Sequence, residues 1–261
     1  MLSKCKLCNG ELISTKDERG QFCLNCGHIY ANSLSTQLLN DFASSFRKDE
    51  NLDKLRLKAY QVDLESCSNH FENKVNKILD VGCSDGIFTK MIAERYPQKE
   101  VVGIDIDKNS IERAIENNEF LNCNFLHETI ECIDKHSFDC IVFRGTFQYF
   151  QDPRTFLNES VGQLKSKIKI IILSLPNSES LGYELNKEKW RLGDLNEVAN
   201  VYSLKSVQTL FSEMGFVLDY IELPYRQTPY YCPVRESEND HYTISRSDAF
   251  YGNILNMFFV R

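Results

Sequence analysis

Short apolar runs alternate with amphipathic segments along the chain from residue 75 onward. Apolar runs bounded by turn residues predict buried strands, and apolar positions at three-to-four spacing predict helices. Seven strands with intervening helices predict an α/β fold built on a seven-stranded, doubly wound, mostly parallel sheet. The predicted strands, in chain order, are NKILDVG, EVVGIDI, CNFLH, FDCIVFRG, KIKIIILSLP, FVLDYIEL and ILNMFFVR.

The predicted helices carry start and stop signals. Pro97 follows the segment GIFTKMIAERY, where a helix cannot continue. Either Asp107 or Ser110 stands near the start of KNSIERAIENNEF, and DPRTFLNESVGQL forms the next helix. In SLKSVQTLFSEMG, Ser203 is a capping residue and Gly215 ends the helix, as helix termini require.

Residues 34–74 predict a helical connector before the sheet. Two apolar stripes indicate helix faces that pack on the following domain rather than form a cofactor site. The charged segment 47–51 between the stripes predicts a solvated turn. The stripes consist of Leu38, Leu39, Phe42 and Phe46, and of Leu52, Leu55, Ala59 and Val62.

Two Cys-x-x-Cys pairs stand near the N-terminus, Cys5 with Cys8 and Cys23 with Cys26, and 14 residues separate the pairs. Two such knuckles can present four thiolates to one tetrahedral Zn²⁺ ion. Four thiolates leave no open position on the metal, so the predicted zinc site is structural. His28 is either a substitute ligand or a residue at the surface or beside the ligands.

The sequence thus predicts three parts. Residues 1–33 form a zinc ribbon that acts as a brace or a substrate-side lid, and residues 34–74 form the helical connector. Residues 75–261 form the α/β domain, which is expected to have its own core and to survive loss of the metal. A tyrosine-rich insertion at 225–253 interrupts its last two strands.

Charge and composition restrict the partners and the compartment. The 261-residue chain has a net charge of −7 and a pI near 5.4, which argues against a broad phosphate-binding surface. Residues 1–33 carry four basic against three acidic side chains, too weak a balance for a nucleic-acid-binding module. No apolar run approaches the ~18 residues of a membrane span, and no secretion signal is evident. We therefore expect a cytoplasmic protein with reduced thiols, no membrane contact and no nucleic-acid partner.

The segment ILDVGCSDG at 78–86 places Gly82 and Gly86 where a strand gives way to a helix. Glycine permits positive φ and close approach of a bound group, and a helix N-terminus favours anionic or polar ligands. Asp105 ends the next strand, where its carboxylate can accept bonds from both ribose hydroxyls. A dinucleotide site needs a further glycine between these two, but Ser84 occupies that place. A nucleoside without pyrophosphate fits better, and S-adenosylmethionine is the obvious choice.

The motifs ILDVGCSDG, VVGIDID, FDCIVFRGTFQYFQDPRTFLNE and IIILSLPN resemble a class I S-adenosylmethionine-dependent methyltransferase over roughly residues 75–224. With the N-terminal cysteine pairs, the chain resembles bacterial methyltransferases of sugar and capsule gene clusters. By this resemblance Asp105 binds ribose, Ile106 flanks adenine, and Thr129 and Ile130 lie near the adenine edge. The residues that fall on the family's cofactor loop are Gly82, Cys83, Ser84 and Gly86.

Two positions depart from the family pattern. The family commonly has Glu-His after the fourth strand, whereas this chain has Gln148 and Tyr149, so no histidine base carries over. The family often has an acid near adenine where this chain has Thr129. Tyr149 and His127 remain the catalytic candidates, each with a packing alternative. Arg144 is predicted to meet the methionine carboxylate of the cofactor or an anionic substrate.

The acceptor is predicted to be small, polar and phosphate-bearing. Trp190 is either a substrate platform or a packing residue, and the 225–253 insertion lines an acceptor pocket or a subunit contact. The sequence is compatible with three functions: O-methylation of a sugar nucleotide or capsule precursor, guanine methylation of ribosomal RNA through the ribbon, and a non-enzymatic scaffold. The first is favoured. The insertion residues in question are Tyr225, Arg226, Tyr230, Tyr231, Arg235 and His241.

Overall fold

The computed structural model describes residues 2–33, 50–71, 75–133, 138–161, 168–180, 183, 194–222 and 254–261. The strands within these residues are β1 Leu12–Ser14, β2 Gly20–Cys23, β3 Ile29–Ala31, β4 Lys77–Val81, β5 Glu100–Asp105, β6 Cys123–His127, β7 Cys140–Arg144, β8 Ile170–Pro176, β9 Asn200–Val201, β10 Val217–Glu222 and β11 Ile254–Val260. All seven strands predicted from the sequence are confirmed, and they form one sheet in the order β10-β11-β8-β7-β4-β5-β6.

Helices connect the strands of the sheet where the sequence places them. The α-helices are α1 Glu50–Phe71, α2 Ile87–Arg95, α3 Lys108–Glu116, α4 Pro153–Phe156 and α5 Leu204–Glu213, with a π-helical turn at Leu157–Val161 and 3₁₀ turns at Ile130–Cys132 and Phe147–Tyr149. Ser203 caps α5 through a reciprocal capping box with Ser206, and Gly215 follows the helix at φ 81°. Asp107 is the N-cap of α3, where its side chain accepts a hydrogen bond from the Ser110 hydroxyl.

The sheet is parallel except at one edge. Strands β8, β7, β4, β5 and β6 pair in parallel, while β11 runs antiparallel to both β8 and β10. Parallel strands with helices on their faces are buried on both sides, which explains the unbroken apolar run of β7. The carboxyl ends of β4, β5, β6 and β7 consequently lie along one edge of the sheet, where open α/β sheets bind ligands.

Helix α1 packs on the α/β domain through residues that follow the predicted second stripe. Leu64, Cys67 and Phe71 are buried in one cluster with Ile78 of β4 and Phe88 of α2. The helix therefore covers one face of the sheet beside the β4–α2 turn. The first stripe, Leu38 to Phe46, lies outside the described residues.

The N-terminal segment forms a small sheet that the larger domain completes. Strands β1, β2 and β3 pair antiparallel, and β3 pairs with β9, a strand that the sequence did not predict. The Ser203 hydroxyl donates to the carbonyl of Cys26, and Ser178 Oγ donates to the carbonyl of Gly27 at 2.7 Å. The larger domain thus supplies both a strand and several hydrogen bonds to the N-terminal segment.

The core of the α/β domain also takes in side chains of the N-terminal segment, and its independence from that segment stays a prediction. Cys5, Cys26 and Tyr30 are buried in the same apolar cluster as Phe147 and Tyr202 of the larger domain. A second, smaller cluster joins β3 to the segment before and within β9. Loss of packing in residues 2–33 will therefore be transmitted to the end of β7.

Candidate functional site

The turn between β4 and α2 has an unusual backbone. Gly82, Ser84 and Gly86 all have positive φ, at 76°, 53° and 74°. The amides of Gly82 and Cys83 both donate to the carbonyl of Ile104 on β5, at 2.8 and 3.0 Å. A non-glycine residue with positive φ costs about 1–3 kcal/mol and persists only where its surroundings enforce it. Ser84 is such a residue, so the contacts that enforce its conformation mark this turn as a site.

Asp105 binds the backbone of Ser84. Its Oδ2 accepts from the Ser84 amide at 2.8 Å, and its Oδ1 accepts from the Asp107 amide at 2.8 Å. One carboxylate thereby joins the β4–α2 turn to the β5–α3 turn. Each carboxylate oxygen can accept more than one hydrogen bond, so this geometry still allows Asp105 to accept ribose hydroxyls.

A tightly packed layer lies beneath the turn. A Cβ built on Gly86 would lie 2.4 Å from the Phe125 ring, and one on Gly103 would lie 2.8 Å from Cys83 Sγ. The Cys83 side chain is buried, and burial raises the pKa of its thiol far above the usual range. Cys83 is therefore a neutral packing residue whose contribution to ligand binding is limited to its backbone.

Gly82 has the positive φ that was predicted, and a second constraint that was not predicted also requires glycine there. In the structure, a Cβ on Gly82 would lie 2.2 Å from Thr146 Oγ1, at the end of β7. The sequence analysis missed Thr146, although its place directly after the strand FDCIVFRG was a usable signal. Gly82 lets this threonine pack directly against the cofactor turn.

At the carboxyl edge of the sheet, the region near β5 and β6 has an exposed apolar side chain and several polar groups. Ile106 is 75% exposed, which suits a side chain that covers one face of an aromatic ligand. His127 Nε2 lies 3.0 Å from the carbonyl oxygen of Ile106, and His127 pairs with Asp105 in the sheet register. Thr129 is exposed, whereas the Ile130 side chain is buried in the core, which restricts Ile130 to a backbone contact.

The two catalytic candidates are not brought together. Strands β4 and β5 separate β6 from β7, so His127 lies about 14 Å along the edge from the end of β7. His127 therefore belongs with Asp105 and Ile106. Tyr149 lies on the opposite side, where its ring packs on the cluster of Ile29 and Val201 that joins the N-terminal segment to β9.

Arg144 ends β7 within a network of buried polar groups. Its Nε donates to Asp63 Oδ2 at 2.6 Å, and its guanidinium lies 4.0 Å from the centre of the Tyr60 ring. Asp63 Oδ1 accepts from Asn256 Nδ2 at 2.7 Å, and Asn256 Oδ1 accepts from Ser174 Oγ at 2.7 Å. Arg144 therefore fastens helix α1 to the carboxyl edge of the sheet; its predicted contact with a ligand remains a prediction.

The four predicted metal ligands do come together. Their sulfur atoms lie within 4.8 Å of one another, with Cys5 and Cys26 3.7 Å apart and Cys8 and Cys23 3.4 Å apart. A tetrahedral Zn²⁺ with Zn–S bonds of about 2.3 Å requires sulfurs about 3.8 Å apart, so this donor set fits zinc. A Cβ on Gly10 would lie 3.1 Å from two of these sulfurs, which shows how closely the knuckles surround the position.

His28 is neither a ligand nor a surface residue. It is fully buried between Tyr30 and Tyr202, with ring centres 4.3 and 4.8 Å away. Its Nε2 lies 3.0 Å from Asn200 Oδ1, and burial lowers the pKa of the ring to about 4. His28 therefore packs the N-terminal segment against the larger domain as a neutral ring. Trp190 and the 225–253 insertion lie outside the described residues.

The sheet order, the turn at its carboxyl edge and Asp105 at the end of the second parallel strand together define the class I S-adenosylmethionine-dependent methyltransferase fold. Residues 72–219 match the family model described as a methyltransferase domain. The chain belongs to this family. The prediction of fold class and of a methyltransferase is thereby confirmed at the level of family and fold.

Known proteins of this family resemble different parts of the chain. It is 24% identical over 198 residues to malonyl-[acyl-carrier protein] O-methyltransferase of Priestia megaterium, covering 73% of this chain and 68% of that one. It is 34% identical over 114 residues to phosphoethanolamine N-methyltransferase 1 of Arabidopsis thaliana, and this match covers 40% of this chain and 23% of that one. The first curated relatives are matched over about a third to two thirds of their own length.

Magnesium protoporphyrin IX methyltransferase from Synechocystis PCC 6803, solved with bound S-adenosylhomocysteine, superimposes on this chain with a TM-score of 0.59. The match has 13% sequence identity and covers 87% of this chain and 95% of that one. At this identity the likeness concerns the fold. Among the described residues, no helix is long and apolar enough to cross a membrane.

Asp105→Ala is expected to weaken binding of S-adenosylhomocysteine. It removes any ribose contact and also releases the Ser84 amide that shapes the turn. A hydrogen bond to a charged group contributes ~1.5–3 kcal/mol, so loss of one or two weakens binding by roughly 10-fold to more than 10³-fold. Titration calorimetry measures this, and Asp219→Ala on β10 is the control with the same charge change. Equal affinities of Asp105→Ala and wild type would refute the assignment.

Asp80, which is buried beneath the turn, makes stability depend on pH. Burial raises the pKa of Asp80 from 3.8 to about 6, although a hydrogen bond from Thr89 Oγ1 at 2.6 Å and the charge of Arg144 oppose the rise. The folded state therefore loses stability as pH rises from about 4 to 6. The free energy of unfolding of Asp80→Asn relative to wild type should therefore increase over this range, by up to ~3 kcal/mol. The difference in melting temperature between the two proteins measures this change.

Asp139 provides a control of opposite sign for this measurement. Although burial opposes the shift, hydrogen bonds from the Asn76 and Lys77 amides and from Lys169 lower the pKa of Asp139. The ionised Asp139 carboxylate therefore stabilises the folded state above the ordinary pKa of an aspartate, and this stabilisation is lost as pH falls. The melting temperature of Asp139→Asn relative to wild type should therefore decrease as pH rises. If both variants respond to pH in the same direction, the electrostatic account of Asp80 is wrong.

Proposed function

We propose that this chain transfers the methyl group of S-adenosylmethionine to a small polar acceptor. The observation that carries the proposal is the Asp105 carboxylate, which holds the Ser84 turn open at the carboxyl edge, beside the exposed Ile106. In this assignment Gly82, Ser84 and Gly86 contribute backbone to the cofactor site. Asp105 accepts the ribose hydroxyls, Ile106 covers adenine, and Thr129 and the Ile130 backbone lie at the adenine edge.

The residues of this edge serve to position the reacting groups. When bound, S-adenosylmethionine supplies a methyl group on a positively charged sulfur, and the protein must align acceptor, carbon and sulfur. The turn at 145–149 forms the neighbouring wall, because Thr146 packs directly on Gly82. A hydroxyl acceptor gains from a general base and a neutral amine does not. With His127 on the adenine side, the chain offers no histidine base at β7 among its described residues.

We further propose that the acceptor is a sugar nucleotide or a capsule precursor that bears phosphate, methylated on oxygen. This narrower assignment comes from the sequence resemblance and the acidic charge of the chain, and no relative named above acts on a sugar. The malonyl-[acyl-carrier protein] and phosphoethanolamine enzymes support a small polar group as the methylated part of the acceptor, and they do not support a sugar. Arg144, Tyr149 and the 225–253 insertion stay within this proposal as acceptor-side residues.

The ribbon of residues 2–33 contributes structure in this proposal. Two of its basic side chains are bound in ion pairs to the larger domain: Lys6 Nζ lies 3.1 Å from Asp152, and Arg19 Nη1 lies 2.6 Å from Asp194. Side chains that bind carboxylates of their own chain contribute less to phosphate binding, which disfavours the ribosomal RNA alternative. The four cysteines hold zinc and brace the end of β7 through Tyr30 and Tyr202.

Salt dependence separates the two acceptor classes. Labelled S-adenosylmethionine should transfer its label to a nucleotide-sugar pool, with rates that change by less than about threefold between ~50 and ~200 mM salt. An RNA-binding enzyme making 6–10 phosphate contacts loses about 10³–10⁵ in affinity over that range. Label found only in structured RNA, with a steep salt dependence, would replace the small-acceptor proposal with the RNA alternative.

Zinc is predicted at one atom per chain, and Cys23→Ser should lose it. Structural zinc contributes ~10–16 kcal/mol of apparent binding energy to small modules. Because the ribbon shares its core with the larger domain, loss of even ~3 kcal/mol lowers the melting temperature by about 6–12 °C. Metal analysis and thermal melting test this, with Cys132→Ser, an exposed cysteine outside the cluster, as the matched control. Freshly purified wild-type protein without zinc would exclude the metal assignment.

A further inference from the structure

The 3₁₀ turn at Phe147–Tyr149 contains a buried side chain whose hydrogen bonding is incomplete. Gln148 is 6% exposed, and its Nε2 donates to the carbonyl of Gly145 at 2.8 Å. Because Gly145 presents an acceptor, the amide orientation is fixed with Oε1 facing away from that carbonyl. Oε1 is closed to solvent and has no hydrogen-bond partner in the part of the chain that the structure describes. Buried amide oxygens in native proteins almost always have a partner, so this atom requires an explanation.

The position of this orphaned oxygen connects it to the cofactor turn. Two residues earlier in the same turn, Thr146 packs against Gly82, where an added Cβ would lie 2.2 Å from the threonine hydroxyl oxygen. Gly145, directly before Thr146, is exposed with φ 70°, and a Cβ there would meet nothing nearer than Gln148 Nε2 at 4.0 Å. The turn therefore holds an unpaired amide oxygen two residues from the threonine that contacts Gly82, and its Gly145 end is open to solvent.

We infer that Gln148, supported by Thr146, recognises the methyl acceptor by accepting a hydrogen bond from it. This inference rests on the proposed function and names the substrate class. A group that must donate to an amide oxygen is a hydroxyl or an amine, because a carboxylate has no hydrogen to donate at neutral pH. A buried acceptor left unpaired by the wrong ligand also discriminates strongly against that ligand. The turn thus selects hydroxyl- or amine-bearing acceptors over carboxylates.

The chain contains a matched control for Gln148. Gln21 is also buried, but both ends of its amide are satisfied: Oε1 accepts from the Leu2 amide at 2.7 Å, and Nε2 donates to the Leu2 carbonyl at 3.0 Å. Gln21→Met removes two formed hydrogen bonds, whereas Gln148→Met removes one bond and one unpaired oxygen. We expect Gln21→Met to lower the melting temperature by about 2–4 °C or more, and Gln148→Met to leave it unchanged or raise it.

Kinetics then test recognition directly. The full chain is assayed with labelled S-adenosylmethionine and three probes: UDP-glucose for hydroxyls, phosphoethanolamine for an amine, and malonyl-coenzyme A for a carboxylate. We expect labelling of a hydroxyl or amine probe. Gln148→Met should raise KM for that probe by about 10-fold or more while kcat changes less than about threefold. Thr146→Val should move KM in the same direction, and S-adenosylhomocysteine affinity should not change in Gln148→Met.

Several results would overturn the inference. One is malonyl-coenzyme A as the best acceptor with a KM that Gln148→Met leaves unchanged. Another is a melting temperature that falls as much in Gln148→Met as in Gln21→Met, because the oxygen would then be satisfied by an internal water. If no probe is labelled, the melting temperatures of Gln148→Met and Gln21→Met still test whether the Gln148 oxygen is unpaired. Failure of the wild-type chain to bind S-adenosylhomocysteine would instead refute the proposed function, so the two failures are distinguishable.

Discussion

The candidate site depends on one carboxylate that binds two backbone amides. Asp105, at the end of β5, accepts from Ser84 in the β4–α2 turn and from Asp107 before α3. This bridge holds Ser84 at positive φ, and the glycines on either side allow Thr146 and Phe125 to pack against the turn. The same residue that is proposed to bind ribose therefore also builds the backbone around it. Removing it affects the shape of the site as well as its ligand contacts.

The N-terminal segment stabilises the opposite side of the same edge. Its sheet is completed by β9, and Tyr30 and His28 pack on Tyr202, which itself contacts Phe147 in the turn after β7. A cysteine cluster of this geometry can stabilise the turn after β7 without taking part in chemistry, because four thiolates fill the coordination shell of zinc. The β4–α2 turn is supported by Asp105 and the turn after β7 by the N-terminal segment, and the two turns meet where Thr146 contacts Gly82.

Local signals made the large sheet predictable from the sequence. All seven strands, the Ser203 cap and the cysteine cluster were found, because hydrophobic period, capping residues and ligand spacing are each encoded within a few neighbouring residues. What failed depended on contacts between distant segments. The pairing of β3 with β9, the burial of His28 and the Arg144–Asp63 pair join residues 81 to 172 positions apart, and no local pattern reports them. The orphaned oxygen of Gln148 is likewise visible only once the partners of its amide are known.

The most direct test of the central claim is to follow backbone amide resonances of the wild-type chain during titration with S-adenosylhomocysteine. The account predicts saturable one-to-one binding, with the largest shifts at Ser84, Ile106 and Asp107, because Asp105 links these amides to the proposed ribose site. Resonances of the ribbon should change far less. Binding that leaves Ser84 and Asp107 unshifted, or the absence of binding, would contradict the account.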